Sequence, residues 1–379
     1  MDYGFTDILT LLGALGLFLY GMKVMSEALL ELAGDRMRKI LATTTSNRFF
    51  AVITGFAITA IIQSSSATTL MVISFTNAGL LTVTEAIGVI MGANIGTTVT
   101  AWLISIFGFK VSISAMALPL VAVGFLLTLF KQRHYQQWGY FIIGFAVLFI
   151  GLQFLKDSVP DLKSNPEVLA FLAEYTSMGF LSVLLFLFIG AVLTMVVQSS
   201  SAAMALTLLM TYEGWIPFDM AAAMVLGQNI GTTITAYIAS LIANYQAKRA
   251  ARAHLIFNVL GVLWALILFY PFLHLMDWLM LRLEGESPMV SAAVVPVALS
   301  LYHTIFNIMN TVLLIAFVPQ IARLVERMVP PVEVREAEID QPVYLNKSSL
   351  EFSQTGIKAL FDESLRLLQN AAYKAIAHG

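Results

Sequence analysis

The residues QSSSATT at 63–69 fall in the middle of an otherwise apolar run, AVITGFAITAIIQSSSATTLMVISF, and QSSSA returns at 198–202 inside a second such run. A helix broken at these points leaves arms of about 13 to 16 residues, each too short to cross a bilayer, which takes about 20. Non-helical backbone at membrane depth is tolerated only where protein buries it or where it lines a cavity. The pattern therefore predicts two re-entrant helical hairpins, over 49–79 and 180–213.

The membrane itself follows from composition. The chain is 59% hydrophobic and 12% charged, whereas soluble domains are roughly 25% charged. Spanning segments are expected near 7–32, 84–107, 111–130, 138–156, 219–244, 251–275 and 289–319. The N-terminal apolar stretch lacks a basic n-region and a small-residue cleavage site, so it reads as the first of these helices. With the N-terminus outside, twelve basic residues fall on inner segments, among them Arg36, Arg48, Arg133, Arg249 and Arg323. Only Lys110, Lys156, Lys163 and Arg282 fall outside, a positive-inside bias. Turning either hairpin into a full crossing would blur it. A net charge of −2 gives no reason to expect a nucleic-acid partner, and the lack of cysteine excludes disulfides and thiolate chemistry.

A shift of 135 residues superposes the two motif regions without a gap: Gly55 on Gly190, Thr59 on Thr194, Gly79 on Gly214, and GANIGTTVTA at 92–101 on GQNIGTTITA at 227–236. The polar stretches match best while the flanking Leu, Ile, Val and Met have drifted, the reverse of what packing alone would preserve. Each unit holds three crossings and one hairpin. Three is odd, so the second copy is expected upside down, an arrangement common in secondary transporters. The expected fold is an all-α polytopic membrane protein of about seven spanning helices and two hairpins. Repeat 1 covers about 5–130, repeat 2 about 137–275, and an extra span 289–319. A discontinuous helix is expected at each GxNIGTT. The transport domain would end near residue 320, and 321–379 would be a polar, proline-bearing linker followed by an amphipathic helix on the cytoplasmic side.

The hydroxyls and amides of Gln63, Ser64, Ser65, Ser66 and Thr68, with Gln198, Ser199, Ser200 and Ser201, are neutral oxygen ligands suited to a hard, weakly held cation. The arm after each break also presents a helix N-terminus, which favours an anion. Asn94, Asn229, Thr97, Thr98, Thr100, Thr232, Thr233 and Thr235 supply the other wall; ordinary helix packing also uses such small polar residues. The glycines there suit either an unwound or a closely packed backbone. Lys23, Glu27 and Glu31 on one face of the first helix read as snorkelling and local pairing. With no buried charge near the motifs, an anion would need co-bound cations. His254–Asn258 and His303–Asn307 form a matched His-x-x-Phe-Asn pair, for which hydrogen bonds between helices are the commoner explanation. The serines have no adjacent base and no G-x-S-x-G elbow, so no enzyme is expected.

Paired QSSS motifs, each followed by G-x-N-I-G-T-T, resemble those of the type II sodium-dependent phosphate cotransporters over about residues 5–320. The resemblance implies sodium-coupled symport of inorganic phosphate by alternating access, with sodium as co-substrate and no other cofactor. Carried over by motif, Gln198, Ser199, Ser200, Thr232 and Thr235 correspond to a sodium site. Gln63–Ser66 and their partners, with Asn94 and Asn229, correspond to the phosphate site and a further sodium site that includes Gln63, Thr97 and Thr100. Thr68, Thr98, Thr233, Asn258, His303 and Asn307 stand behind these as supporting residues. Charge-moving relatives have an aspartate where this chain has Gly79, so electroneutral transport is expected. The tail is similar to the start of a PhoU-like domain and suggests self-association or a signalling partner. Bacterial relatives imply the plasma (inner) membrane, with the N-terminus outside and the C-terminus cytoplasmic. Phosphate export or a channel, and a membrane phosphate sensor, remain as alternatives.

Overall fold

The computed structural model describes residues 4–43, 47–111, 113–158, 174–331, 342–346, 349 and 351–369. They form helices joined by short turns, with no strand among them. In chain order the helices are α1 (Phe5–Thr43), α2 (Arg48–Ile62), α3 (Ser65–Asn77), α4 (Val83–Ile104), α5 (Ser114–Thr128), α6 (Arg133–Ser158), α7 (Phe180–Val197), α8 (Ser200–Tyr212), α9 (Phe218–Gly231), α10 (Thr233–Ser240), α11 (Tyr245–Ile267), α12 (Phe269–Leu283), α13 (Val295–Leu314), α14 (Val318–Met328) and α15 (Ser353–Leu367). Among the described residues, six helical stretches are long and apolar enough to cross a membrane: Phe5–Gly34, Val83–Lys110, Arg133–Ser158, Phe180–Val197, Tyr245–Ile267 and Ala292–Met328. The chain is an all-α polytopic membrane protein.

Both motif stretches are helix–break–helix. The arms of the first are 15 and 13 residues. In the second the arms are 18 and 13, so α7 exceeds the expected arm length and is itself long enough to be a candidate span. Other expected spans differ as well. The segment 111–130 yields only the 15-residue α5. The segment 251–275 is interrupted at Leu268, which separates α11 from α12. The expected linker begins as structure: α14 buries Val318, Ile321, Ala322 and Val325 against Val83, Ile87 and Met91 of α4 and Phe257 of α11. Residues 332–341 of that linker lie outside the described residues.

The GxNIGTT segments correct the expectation of a discontinuous helix in each copy. α4 runs unbroken through GANIGTT, and only the second copy is interrupted, at Thr232 between α9 and α10. The glycines serve close packing instead. A Cβ on Gly92 would fall 1.9 Å from the Val52 carbonyl oxygen, and one on Gly227 would fall 1.9 Å from that of Leu187. Gly55 meets Val89 as Gly190 meets Met224, and Gly96 meets Thr59 as Gly231 meets Thr194. α4 thus runs parallel to α2, and α9 parallel to α7, in the same register in both copies. Backbones this close gain dispersion contacts that no larger residue would permit.

The helix ends are tied in pairs. At one end Lys110 meets Glu284 at 2.7 Å, and the rings of Phe109 and Tyr212 lie 5.0 Å apart. At the other, Arg133 meets Glu31 at 2.6 Å, and the Asn244 backbone N–H donates to Asn77 Oδ1 at 2.8 Å while Asn244 Nδ2 donates to the Asn77 carbonyl at 2.7 Å. In the tail, the Glu363 carboxylate accepts the Val343 and Tyr344 N–H groups at 2.7 Å each and pairs with Arg366 at 2.5 Å. Burial would raise its pKa, but these bonds outweigh it and hold the carboxyl below the usual range.

Candidate functional site

The two breaks have the same local cause. Gln63 (φ 60°, ψ 26°) and Gln198 (φ 54°, ψ 25°) end α2 and α7 in the left-handed region, and they are the only non-glycine residues with positive φ among the described residues. Their backbone N–H groups still reach the Thr59 and Thr194 carbonyls at 2.8 Å. The next residue restarts the helix as its N-cap: the Ser64 hydroxyl accepts the Ala67 N–H at 3.2 Å, and that of Ser199 accepts the Ala202 N–H at 3.3 Å. A left-handed residue followed by a serine cap ends one helix and starts the next within two residues. Left-handed backbone costs a non-glycine residue about 1–2 kcal/mol, and such strain concentrates at functional sites.

Both turns open onto one cavity of about 340 Å³, lined by Gln63, Ser64, Ser65, Ser66, Ala67, Gln198, Ser199, Ser200 and Ser201. The third wall is a stripe of α1: Leu19, Met22, Lys23, Ser26, Glu27 and Leu30. The α1 wall is pinned to the first turn, because the Ser26 hydroxyl donates to the Ile62 carbonyl at 2.9 Å. The first-turn N–H groups of α3 and α8 have no intrahelical acceptors. Those of Ser65, Ser66, Ser200 and Ser201 thus share the cavity with their own hydroxyls. Ser64 and Ser199 use an oxygen lone pair as caps and keep their O–H to donate.

A smaller cavity of about 10 Å³ lies beside it, lined by Asn94, Thr97, Ser200, Gln228, Asn229, Thr232 and His303. It has room for one water-sized occupant. Ser200 belongs to both cavities, so the expected residues of the two motif types do converge.

Other expected residues are occupied by the fold. The Gln63 amide accepts from Thr100 Oγ1 at 3.0 Å, and its Nε2 donates to the Ala60 carbonyl. Thr68 Oγ1 accepts from the Thr59 hydroxyl at 2.9 Å and donates to the Ser64 carbonyl at 3.1 Å. Thr98 donates to the Ile95 carbonyl and Thr233 to that of Ile230, each at 2.7 Å. Asn94 Nδ2 donates to Asn258 Oδ1 at 2.8 Å, so this member of the His-x-x-Phe-Asn pair does join two helices. Asn307 instead donates to the His303 carbonyl within its own helix, at 2.9 Å. Among the described residues, His303 Nδ1, both His254 ring nitrogens and Asn307 Oδ1 are buried without a partner. Thr235 lines neither cavity.

Sequence reasoning missed Ser26 and Gln228. Gln228, which donates to Thr207 Oγ1 at 2.8 Å, was legible as the one polar difference between GANIGTT and GQNIGTT. Lys23 and Glu27, expected to snorkel, line the cavity instead. The i, i+4 pair inside an expected span was the available signal.

The sequence profile of the Na+/Pi-cotransporter family matches residues 17–157 and 164–279. The chain is 28% identical over 363 residues to an Escherichia coli protein named "Putative inorganic phosphate export protein YjbB", covering 95% of this chain and 62% of that one. It is 31% identical over 316 residues to the uncharacterized protein YqeW of Bacillus subtilis, covering 83% of this chain and 95% of that one. Over 105 residues it is 33% identical to human sodium-dependent phosphate transport protein 2B, covering 27% of this chain and 15% of that one. The chain therefore spans 62% of the length of the YjbB relatives. No solved structure matches it.

Proposed function

The chain belongs to the Na+/Pi-cotransporter family, and from that membership we propose that it carries inorganic phosphate across the membrane together with sodium, by alternating access. The observation that carries this reading is the convergence of both Gln-Ser-Ser-Ser turns on one cavity. In it, a tetrahedral oxyanion meets hydroxyl and N–H donors from two opposed helix N-termini. The hydroxyls of Ser65, Ser66, Ser200 and Ser201 take the anion. Gln198, Ser199, Ser200, Thr232 and Thr235 serve the cation in the second copy, and Thr97 contributes in the first. Gln63 and Thr100, bonded to each other, hold the first turn closed in the present conformation.

With the N-terminus outside, the α1 wall from Leu19 to Leu30 leads towards the cytoplasm, so the cavity is the inward-facing site. On this reading residues 1–320 are the transport domain and the tail helix is cytoplasmic. Electroneutrality drawn from Gly79 loses its basis. Gly79 follows the far end of α3, about 20 Å along that helix from the turn. It is in a surface turn with open space around it, where an aspartate would not reach the cavity.

Export of phosphate is the second reading, favoured by the names of the YjbB relatives. Radiolabelled phosphate flux into proteoliposomes decides between them. Symport requires uptake driven by a sodium gradient and lost when choline replaces sodium. Flux that follows the phosphate gradient regardless of sodium favours export, and binding without flux favours a sensor.

A further inference from the structure

We propose that Lys23 is an anion ligand of the cavity between the two turns, and that Glu27 is the counterion that holds it until the anion arrives. This rests on the transport reading and adds to it a charge that the motifs do not contain. Among the described residues lining the cavity, Lys23 and Glu27 alone are charged; the others offer hydroxyls, amides or hydrocarbon.

Depth gives the first argument. Ser26 bonds the carbonyl of Ile62, the last residue of α2 before the first turn. Lys23 lies one helical turn before Ser26, and Glu27 directly follows it. The pair therefore sits level with the broken backbone. Ionisable side chains at that depth are costly and mark ion or substrate paths.

The second argument is the geometry of the pair. Lys23 Nζ and Glu27 Oε1 are 3.8 Å apart, with their side chains 68% and 63% exposed. A close charge-assisted bond is about 2.7–2.9 Å, so the bridge is loose and both heads remain available. One turn further along α1, Glu31 is already held by Arg133 at 2.6 Å. α1 thus carries one tight ion pair facing α6 and one loose pair at the serine turns, of which Glu27 also borders the groove that holds Glu31 and Arg133.

The third argument is chemical. An ammonium is a compact charge with three donors and suits a tetrahedral oxyanion without bidentate geometry. When the anion binds Lys23, Glu27 is released and its carboxylate becomes free to attract the accompanying cation. The anion's charge is then offset partly by the protein and partly by sodium.

The test is calorimetric titration of the purified full chain with inorganic phosphate, in sodium chloride and in choline chloride. Lys23→Gln should weaken phosphate binding by about tenfold or more, the loss of one hydrogen bond to a charged group. Lys23→Arg should stay within about threefold of wild type, and Glu27→Gln should tighten binding several-fold by freeing the lysine. Opposite signs for the two neutralising variants separate a ligand from a helix-stabilising bridge, because either substitution breaks the same bridge. Wild-type affinity in Lys23→Gln, or equal weakening in both, overturns the proposal while leaving transport intact. Should Lys23→Gln not fold, unchanged or weakened binding in Glu27→Gln overturns it alone. A wild-type chain that binds no phosphate removes the transport reading and this one together.

Discussion

Gln63 and Gln198 are each followed by Ser-Ser-Ser-Ala and have nearly the same backbone angles. Gln63 is buried, with both ends of its amide engaged by Thr100 and Ala60. Gln198 is exposed, and its side chain has no hydrogen-bond partner among the described residues. The turn is a local event, set by a left-handed cap and a serine N-cap. Its surroundings are not. Both turns line the same cavity, yet one is tied down while the other stays free. On the transport reading, the opposite state exchanges these roles.

The strongest way to break the equivalence of the copies is to attack what they share. Gly92→Ala and Gly227→Ala each place a methyl group against a backbone carbonyl. Each should cost roughly 1–3 kcal/mol or abolish folding, as overpacking does. Thermal unfolding followed by size-exclusion chromatography should show two losses of similar size. A variant that melts like wild type would mean its copy is not locked by that contact.

Ser65→Ala and Ser200→Ala probe the cavity from its two sides. Both should weaken phosphate binding by an amount on the order of 1–3 kcal/mol with little change in melting temperature. The effect should be larger for Ser200, which lines both cavities. Unchanged phosphate and sodium affinities in both variants would remove these serines from the site.

The asymmetry itself is tested by Thr100→Val and Thr235→Val. Thr100 holds the buried Gln63, so its loss leaves an acceptor unpaired and should cost about 1–2 kcal/mol of stability. Thr235 has no such bond here, and its loss should leave stability near wild type; on the transport reading, which gives it to the cation, sodium affinity falls. Equal melting temperatures would show that the two turns are held alike in solution.

The smallest effects are expected at Gly79 and Gly214, equivalent turn residues with φ of 69° and 77°. Aspartate at either should cost roughly 1 kcal/mol of stability for its left-handed backbone and leave phosphate binding unchanged. A new voltage-dependent phosphate current in Gly79→Asp would show that this turn reaches the ion path after all.

Much of this was legible in the chain. The hairpin breaks follow from polar residues at the centre of apolar runs. The repeat is visible at one fixed shift, and the glycines that lock α2 to α4 and α7 to α9 are among its matched positions. What those glycines do was not legible, since an unwound helix and a close-packed one both need glycine. Gly92 packs against the Val52 and Phe56 backbones and Gly227 against those of Leu187 and Ala191, contacts between segments far apart in sequence that both the continuous and the interrupted helix make. The docking of α14 is not legible in the sequence, because its apolar face is short and its charges match those of a linker.

The sequence by itself determined the membrane, the two turns and the duplicated polar motifs, because hydropathy, left-handed caps and serine N-caps depend on residues adjacent in the chain. Only the tertiary structure decided which turn is closed, which serines share a cavity, and that Lys23 and Glu27 face it. Those facts depend on how α1, the broken helices and the motif helices pack. Residues of identical local sequence acquire different hydrogen bonds and burial once different helices surround them.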